Sequence, residues 1–232
     1  MRTAAILPVK RFAAAKSRLG ASGVADEPRS RLARAMVADV LAALAETNAI
    51  ERTIVVTREP SLAELAAEHD ALVIDDTADD GQSAAVALGV RHALADSFER
   101  VLCIPGDCPA LDPDELDEML AVADERAADG AEVAIVPDRH GTGTNGLLLT
   151  PPDAIEPAFG AGSRERHEAL ARAAGARCRI EHPSSLLLDV DTGDDLAALR
   201  DRLDATSAAA SRTRAVLGQP EPRNRLSVIE TD

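Results

Sequence analysis

Asp107 has the chemistry to hold a metal ion. It follows an apolar run at residues 101–104, and prolines lie close on both sides of it at Pro105 and Pro109. The prolines stiffen the segment, and Gly106 permits an unusual backbone conformation. A carboxylate held in this way can bind Mg²⁺, which takes one or two protein carboxylates together with phosphates and water. A simple turn aspartate is the alternative.

Asp189 and Asp191 form a second acidic segment. They are two residues apart, so in an extended chain both carboxylates point the same way. Because like charges at that spacing repel each other, a divalent cation would stabilise the arrangement. The alternative is that Asp191 or Thr192 caps the helix that follows.

The two lysines of the chain, Lys10 and Lys16, lie together after the first apolar run. With Arg11 and Arg18 they concentrate four cations on a chain whose net charge is −15. The segment is therefore a candidate anion site. It lacks the G-x-x-x-x-G-K-[ST] pattern of a Walker A loop. A solvated basic loop is the alternative.

Three segments rich in glycine and small residues are further candidates for ligand binding. Residues 138–146 can wrap a small anion with backbone N–H groups, and residues 159–163 precede a predicted helix whose N-terminus favours a carboxylate or phosphate. Residues 79–85 also lead into a predicted helix, and their small side chains, with Gly89 further along, could admit a purine. Hairpin turns, helix capping and an ordinary helix start are the respective alternatives.

Short apolar runs separated by amphipathic stretches must position these segments. The runs are nearly continuous, which favours strands covered on both faces. We predict strands at residues 3–9, 52–56, 71–74, 101–104, 132–136, 146–149 and 186–190. We predict helices at residues 31–44, 61–69, 83–94, 113–126, 164–174 and 194–203, with capping oxygens from Asp112 and Ser163.

This alternation predicts an α/β fold, a three-layer α/β/α sandwich around a mostly parallel sheet. In such open sheets ligands bind beyond the carboxyl ends of the strands, where the candidate residues lie. We expect one domain over residues 1–205. Residues 206–232 shift to Ala, Ser, Arg and Pro, and we expect a flexible tail there.

Charge and composition argue against several functions. Asp and Glu outnumber Lys and Arg by 40 to 25, and the chain has no Trp, no Tyr and three Phe, so nucleic acid is an unsuitable partner. No apolar run reaches the roughly 18 to 20 residues that cross a bilayer, and the signal-peptide pattern is absent, so we expect no membrane association and a cytoplasmic protein. The acidic, lysine-poor composition indicates a high-salt cytoplasm.

Taken in order, the candidate segments resemble the 2-phospho-L-lactate guanylyltransferase family of coenzyme F420 biosynthesis. The resemblance covers roughly residues 1–204. Each motif is weak alone, but the ordered set is specific. The motifs are Pro8-Val9-Lys10 with Ala15-Lys16-Ser17-Arg18-Leu19, Pro105-Gly106-Asp107-Cys108-Pro109, Gly143-Thr144-Asn145 and Asp189-Val190-Asp191-Thr192.

The resemblance implies a nucleotide-diphospho-sugar transferase-like fold, often homodimeric. The implied reaction joins GMP from GTP to 2-phospho-L-lactate, giving lactyl-2-diphospho-5′-guanosine and pyrophosphate, while related members use phosphoenolpyruvate or 3-phosphoglycerate. Its implied Mg²⁺ ligands are Asp107, Asp189 and Asp191. The residues implied to bind the phosphorylated acid are Thr144, Asn145, Gly160 and Ser163. Those implied to bind GTP are Pro8, Val9, Lys10, Lys16, Gly81, Gln82, Ser83, Gly106 and Asp107.

The expected mechanism is in-line attack by the phosphate of the acid on the α-phosphorus of GTP. Asp107, Lys16 and Arg18 are the expected catalytic residues, and their contribution is electrostatic and positional. The attacking oxygen is already anionic and needs no general base, so we assign no catalytic histidine, although His140 and His167 lie in or near the candidate loops. The segment Gly81-Gln82-Ser83 departs from the Gly-Leu-Asn of many relatives.

Three alternative functions remain open at this point. A molybdopterin or sugar-phosphate nucleotidyltransferase would have a glycine-rich first loop, which this chain lacks. For a nucleotide-sugar glycosyltransferase, Asp189-Val190-Asp191 would be the metal-binding D-x-D, although it stands late in the chain. A catalytically silent regulator would bind GTP without releasing pyrophosphate.

Overall fold

The computed structural model describes residues 1–14, 26–126, 130–205 and 210–218. In these ranges seven strands form one sheet. The strands are β1 (Thr3–Val9), β2 (Arg52–Thr57), β3 (Leu72–Asp75), β4 (Arg100–Cys103), β5 (Glu132–Pro137), β6 (Thr144–Thr150) and β7 (Arg177–Ile180). The helices are α1 (Asp26–Glu46), α2 (Leu62–Ala67), α3 (Gln82–Ala95), α4 (Pro113–Arg126), α5 (Ser163–Ala173), α6 (Gly193–Ala205) and α7 (Ser211–Leu217).

The order of the strands across the sheet is β3-β2-β1-β4-β6-β5-β7. All neighbouring strands are parallel except at β6, which runs antiparallel to both β4 and β5. Cys103 at the end of β4 pairs with Leu147 in the middle of β6, and Pro137 at the end of β5 pairs with Thr144, the first residue of β6. The beginning of β6 therefore lies at the same edge of the sheet as the carboxyl ends of β4 and β5.

Helices cover both faces of the sheet, which confirms the α/β/α sandwich. Successive strand residues point to opposite faces, so Leu7 packs in one buried cluster and Ile6 in another. The first cluster includes apolar residues of α1, α2 and α4, and the second includes residues of α3 and α5. The nearly continuous apolar runs follow from this two-sided burial.

Gly89 allows α3 to lie close to β1. A Cβ atom added at Gly89 would stand 2.6 Å from Ile6 Cγ2 and 3.2 Å from Val56 Cγ2, so a side chain there would force the helix away from the sheet. The expectation that Gly89 helps to admit a purine is wrong, because the direction in which a side chain would project from Gly89 points at the sheet and not at a ligand site. The small residue serves helix–sheet packing instead.

The predicted strand at residues 186–190 is wrong. A short 3-10 turn occupies Ser184–Leu186, and residues 187–190 have no regular structure. The seventh strand of the described sheet is β7, which was not predicted and which pairs with β5 in parallel. Its sequence, Arg-Cys-Arg-Ile, alternates charged and apolar residues, as is typical of an edge strand, and so it contains no continuous apolar run. The other six predicted strands are confirmed with small shifts at their ends.

The prediction of a loose tail from residue 206 does not hold for residues 210–218. Helix α7 packs on α1, where the carboxylate of Asp39 accepts the backbone N–H groups of Arg212 at 3.1 Å and Thr213 at 2.8 Å. Ala210 and Leu217 belong to a third apolar cluster with α1 and α6. The helix has only seven residues, too few to show a clear periodic pattern. Residues 206–209 and 219–232 lie outside the described ranges.

None of the described helices has the length and apolar character that a membrane span requires. The capping role predicted for Asp112 is confirmed, because its Oδ1 accepts the backbone N–H of Asp114 at 2.9 Å at the start of α4.

Candidate functional site

The two acidic segments meet at the carboxyl edge of the sheet. Asp107 follows the end of β4, and its backbone carbonyl accepts the N–H of Val190 at 3.1 Å. This bond places the turn after β4 directly beside the segment that carries Asp189 and Asp191. The sheet edge thus brings together the carboxylates that the sequence separates by about 80 residues.

Asp189 has a raised pKa at this edge. Burial raises its pKa above the usual value, and the negative charges of Asp107 and Asp191 raise the pKa further. Asn145, the second residue of β6, opposes this by donating from Nδ2 to Asp189 Oδ1 at 3.1 Å, and the same amide donates to Leu186 O at 3.0 Å. Asn145 therefore holds Asp189 in place. Because the charges of Asp107 and Asp189 repel each other, a bound cation would stabilise this arrangement.

Asp195 organises the backbone around Asp191. Its Oδ2 accepts the N–H groups of Asp191 at 3.1 Å and Thr192 at 2.7 Å, while Thr192 Oγ1 accepts the N–H of Asp195 at 3.2 Å. This reciprocal capping box starts α6. It bears out the capping alternative for Thr192, whereas Asp191 takes part through its backbone.

Arg139 connects the capping box to the loop between β5 and β6. Its guanidinium forms a 2.6 Å ion pair with Asp195 Oδ1. Burial disfavours the charge on Asp195, but the hydrogen bonds from Thr192 and Asp191 and the charge of Arg139 together lower its pKa. The ionised carboxylate of Asp195 thus links the loop between β5 and β6 to the segment that carries Asp191.

The donor set at this edge fits a partly solvated Mg²⁺ ion. Among the residues that the structure describes, no three His, Cys, Asp or Glu side chains form a ready-made metal site. Mg²⁺ requires only one or two protein carboxylates when phosphates and water supply the other ligands. Asp107 and Asp189, which repel each other, match that requirement. The full set Asp107, Asp189 and Asp191 stays a prediction.

At the same edge, but on the face of the sheet that α5 covers, Thr144 and Ser163 are hydrogen-bonded to each other. Their hydroxyl oxygens are 3.1 Å apart, and Thr144 Oγ1 also lies 3.1 Å from His167 Nδ1. The structure thus brings together two residues predicted to bind the acid. The prediction that Ser163 caps α5 is wrong: Gly162 occupies the N-cap position, and the Ser163 hydroxyl is engaged with Thr144.

The loop that carries Gly160 is held from two sides. Arg166 donates to the backbone carbonyls of Ala158 and Phe159, and the N–H of Phe159 donates to Ser83 Oγ at 2.9 Å. Gly160 has φ +109°, a conformation that favours glycine. Ser83, predicted to lie near the base of GTP, therefore contacts the loop predicted to bind the acid.

The remaining predicted nucleotide-binding residues lie at or near the sheet edge. Pro8 and Val9 end β1, and Lys10 is exposed just beyond it. Gly81 caps α3, with Gln82 as the first helical residue. Gly106 packs tightly against α1, since an added Cβ would be 2.8 Å from Val37 Cγ2. Lys16 and Arg18 lie outside the described residues.

The sequence interpretation gave no role to His167 or Arg139. His167 lies four residues after Ser163 on α5, so both side chains share one face of the helix, and this spacing was a usable signal. Arg139 offered no comparable signal, because its partner Asp195 belongs to a distant helix.

Comparison with known proteins identifies the family. The family model described as "Guanylyl transferase CofC like" matches residues 3–206. A phosphoenolpyruvate guanylyltransferase of Conexibacter woesei is 50% identical over 219 residues, which cover 94% of this chain and 96% of that protein. A phosphoenolpyruvate guanylyltransferase of Sphaerobacter thermophilus is 39% identical over 199 residues, covering 86% of this chain and 93% of that protein.

Solved structures show the same fold at lower sequence identity. A protein of Desulfovibrio desulfuricans G20 assigned to the nucleotide-diphospho-sugar transferases superposes with a TM-score of 0.71 at 20% identity, covering 94% of this chain and 95% of that one. A nucleotidyl transferase of Methanothermobacter thermautotrophicus gives a TM-score of 0.62 at 22% identity, covering 88% and 99%. The family match over residues 3–206 and the relatives at 50% and 39% identity confirm the family that the ordered motifs indicated: this chain belongs to the CofC-like guanylyltransferases.

Proposed function

We propose that this protein transfers GMP from GTP to the phosphate of a small phosphorylated carboxylic acid and releases pyrophosphate. The observation that carries the proposal is the start of β6, where Thr144 is hydrogen-bonded to the Ser163 hydroxyl on one face of the strand and Asn145 binds Asp189 on the other. Two consecutive residues thus contact the proposed acceptor site and the carboxylate that we propose as a metal ligand. Two adjacent but distinct binding sites suit a reaction that must hold two anions, GTP and the acid, side by side.

Phosphoenolpyruvate is the acid that we propose. The relatives that are 50% and 39% identical to this chain are named for that substrate. 2-Phospho-L-lactate, the acid that the sequence motifs indicated, carries the same phosphate and carboxylate on a saturated carbon, and 3-phosphoglycerate spaces them further apart. These two acids are the alternatives that the experiment must separate.

The proposed reaction needs no proton transfer at the attacking atom. An anionic phosphate oxygen of the acid forms a bond to the α-phosphorus of GTP, and the bond from that phosphorus to the oxygen bridging to the β-phosphate breaks, releasing pyrophosphate. When bound, Mg²⁺ would offset the repulsion between the anions and stabilise the departing pyrophosphate. Asp107 and Asp189 would hold it, with Asn145 fixing the orientation of Asp189.

Other residues would position the two substrates. Lys10, exposed at the end of β1, would add positive charge near the triphosphate, and Lys16 and Arg18 are proposed for the same role from their sequence positions. The turn at Gly81, Gln82 and Ser83 would face the nucleoside. Thr144, Gly160 and Ser163 are proposed for the acid site, whereas Asn145, which the sequence predicted for that site, is proposed to act through Asp189. Catalysis would then rest on position and electrostatics.

Three further properties are proposals from the sequence. We infer a homodimer, a cytoplasmic location and activity at high salt. Light scattering behind a sizing column measures the first, cell fractionation the second, and turnover across a salt series the third. A protein that keeps full activity without molar salt would contradict the high-salt interpretation.

The test of the function is pyrophosphate release from GTP and Mg²⁺ with each of the three acids supplied separately. We expect release with phosphoenolpyruvate and, by mass spectrometry, a guanosine diphosphate ester of that acid. Release with only 2-phospho-L-lactate or 3-phosphoglycerate would keep the guanylyl transfer and replace the acceptor. GTP binding without release in any mixture would overturn the proposal in favour of a regulator.

A further inference from the structure

His167 is fully buried beside the hydroxyl pair formed by Thr144 and Ser163. Its Nδ1 lies 3.1 Å from Thr144 Oγ1, and its Nε2 accepts the backbone N–H of Ala158 at 2.9 Å. The ring of Phe159 meets the imidazole edge to face, with 5.1 Å between the ring centroids. The contacts on both ring nitrogens and the packing against Phe159 fix the position of the imidazole.

The N–H of Ala158 selects the tautomer of His167. A backbone N–H can only donate, so Nε2 must be the unprotonated nitrogen and the neutral ring carries its proton on Nδ1. Burial, together with the positive charge of Arg166, lowers the pKa of His167 to about 4, so the ring is neutral near pH 7. Nδ1 is therefore a donor to Thr144 Oγ1.

This tautomer decides how many hydroxyl protons remain for a ligand. Thr144 and Ser163 carry one proton each, and the 3.1 Å bond between them uses one. Because Nδ1 of His167 already carries a proton, it cannot accept the second, which has no acceptor among these three side chains and can be donated to a ligand. With the opposite tautomer Nδ1 could accept that proton, and the hydroxyl pair would have none for a ligand.

We propose that His167 is a positioning residue that, by donating from Nδ1, makes the Thr144–Ser163 pair a hydrogen-bond donor toward an anionic oxygen of the phosphorylated acid. The identity of the acid rests on the proposed function, whereas the tautomer does not. The same ring holds the backbone of Ala158, so it also fixes the loop that carries Gly160. The buried side chain of His167 thus determines that the hydroxyl pair donates to a ligand and fixes the backbone of the loop that carries Gly160.

Two matched substitutions separate these contacts. In His167→Asn the amide nitrogen can stand near the Nδ1 position and donate to Thr144, but the side chain is too short to reach the N–H of Ala158. In His167→Gln the amide oxygen can reach the Nε2 position and accept from Ala158, but nothing donates to Thr144. His182→Gln, on an exposed residue, is the control.

We expect His167→Gln to raise the KM for the acid about tenfold or more, the scale of one hydrogen bond to a charged group, with the KM for GTP changed less than about twofold. His167→Asn should raise the KM for the acid less, by about threefold, because the donor is restored. Equal rises in the two variants, or a parallel rise in the KM for GTP, would overturn the proposal.

The wild-type protein supplies a second measurement that needs no turnover. Nitrogen-15 NMR of the histidine rings, with the His167 signals identified by their loss in His167→Gln, should show a protonated Nδ1 and an unprotonated Nε2. A proton on Nε2 would overturn the proposal even in an active enzyme. If no acid supports pyrophosphate release, the function fails while the tautomer is still measured, so the two failures are distinguishable.

Discussion

The side-chain amide of Asn145 donates to Asp189 Oδ1 at 3.1 Å across 44 positions of sequence. Asn145 stands at the start of the antiparallel strand β6, and Asp189 lies in an irregular segment that the Val190–Asp107 backbone bond anchors to the turn after β4. The contact opposes the rise in the pKa of Asp189 that burial and the charge of Asp107 cause. It therefore favours the ionised form of this half-buried carboxylate and fixes its orientation.

Replacing Asn145 by Leu should weaken magnesium use. Without the amide donor, the pKa of Asp189 rises further and its carboxylate loses its orientation. We expect the Mg²⁺ concentration for half-maximal pyrophosphate release to increase about tenfold, the effect of one charge-assisted hydrogen bond. Asn48→Leu, which removes the Asn48–Asp117 contact on the surface, is a matched control. An unchanged Mg²⁺ requirement in Asn145→Leu would remove Asn145 from the proposed metal site.

Replacing Asp107 by Asn should preserve the fold and abolish most turnover. The substitution removes a charge that raises the pKa of Asp189, so it relieves repulsion in the folded protein and should not lower Tm. Turnover should fall about 100-fold or more, because electrostatic stabilisation of the transferring group is lost. Thermal unfolding and pyrophosphate release measured on the same preparation test this. Undiminished Mg²⁺-dependent activity would exclude Asp107 from the mechanism.

His167 should make the folded protein sensitive to acid. Its pKa is lowered from 6.5 to about 4 by burial and by Arg166, so between those values the unfolded chain binds a proton that the folded chain does not. The stability contribution is therefore full above pH 6.5 and is lost as the pH falls toward 4. Relative to His167→Gln, the wild type should lose about 2 kcal/mol of unfolding free energy between pH 7 and pH 5.

Denaturant unfolding of both proteins at several pH values measures this difference. Carboxylates that titrate in the same range affect both proteins equally, so the comparison isolates His167. The exposed-site variant His182→Gln should follow the wild type. Parallel curves for the wild type and His167→Gln would contradict a buried, neutral imidazole.

The contact between Asp39 and α7 should contribute measurably to stability. Asp39 is buried, and its carboxylate accepts two N–H groups at the start of the helix, so Asp39→Ala leaves both without that acceptor. We expect a loss of about 1–2 kcal/mol, the usual cost of removing a helix cap. Hydrogen exchange of residues 211–217 should accelerate in the variant.

The exposed ion pair between Arg212 and Glu68 serves as the matched control for this experiment. Its two side chains are 45% and 53% exposed, so Glu68→Gln should cost less than about 0.5 kcal/mol. Equal effects of the two substitutions would mean that surface charge, and not the buried carboxylate, holds α7.

Local sequence patterns were sufficient for most of the secondary structure. The apolar runs that became β1, β2, β4 and β5 are buried on both faces, and burial of that kind requires apolar residues at nearly every position. The ordered motifs around Asp107, Thr144 and Asp189 were also sufficient to indicate the family, because residue type and order are properties of the sequence itself.

Local patterns failed where a segment depends on distant partners. The apolar run at residues 186–190 has strand-like composition but joins no strand pair, and the edge of the sheet next to β5 is formed by the more polar β7. Helix α7 is too short to be stable alone. It forms because Asp39 accepts hydrogen bonds from its first turn and its apolar residues pack in the third apolar cluster.

The sequence by itself determined the alternating architecture, the acidic and glycine-rich segments, and the family. Only the tertiary structure decided which of those residues meet. The reversed direction of β6 brings Thr144 and Asn145 to the carboxyl edge of the sheet, and the contact between Ser83 and Phe159 spans 76 positions. Such contacts arise from strand pairing and helix packing, and these depend on complementary surfaces of the whole chain, not on the periodicity of any one segment.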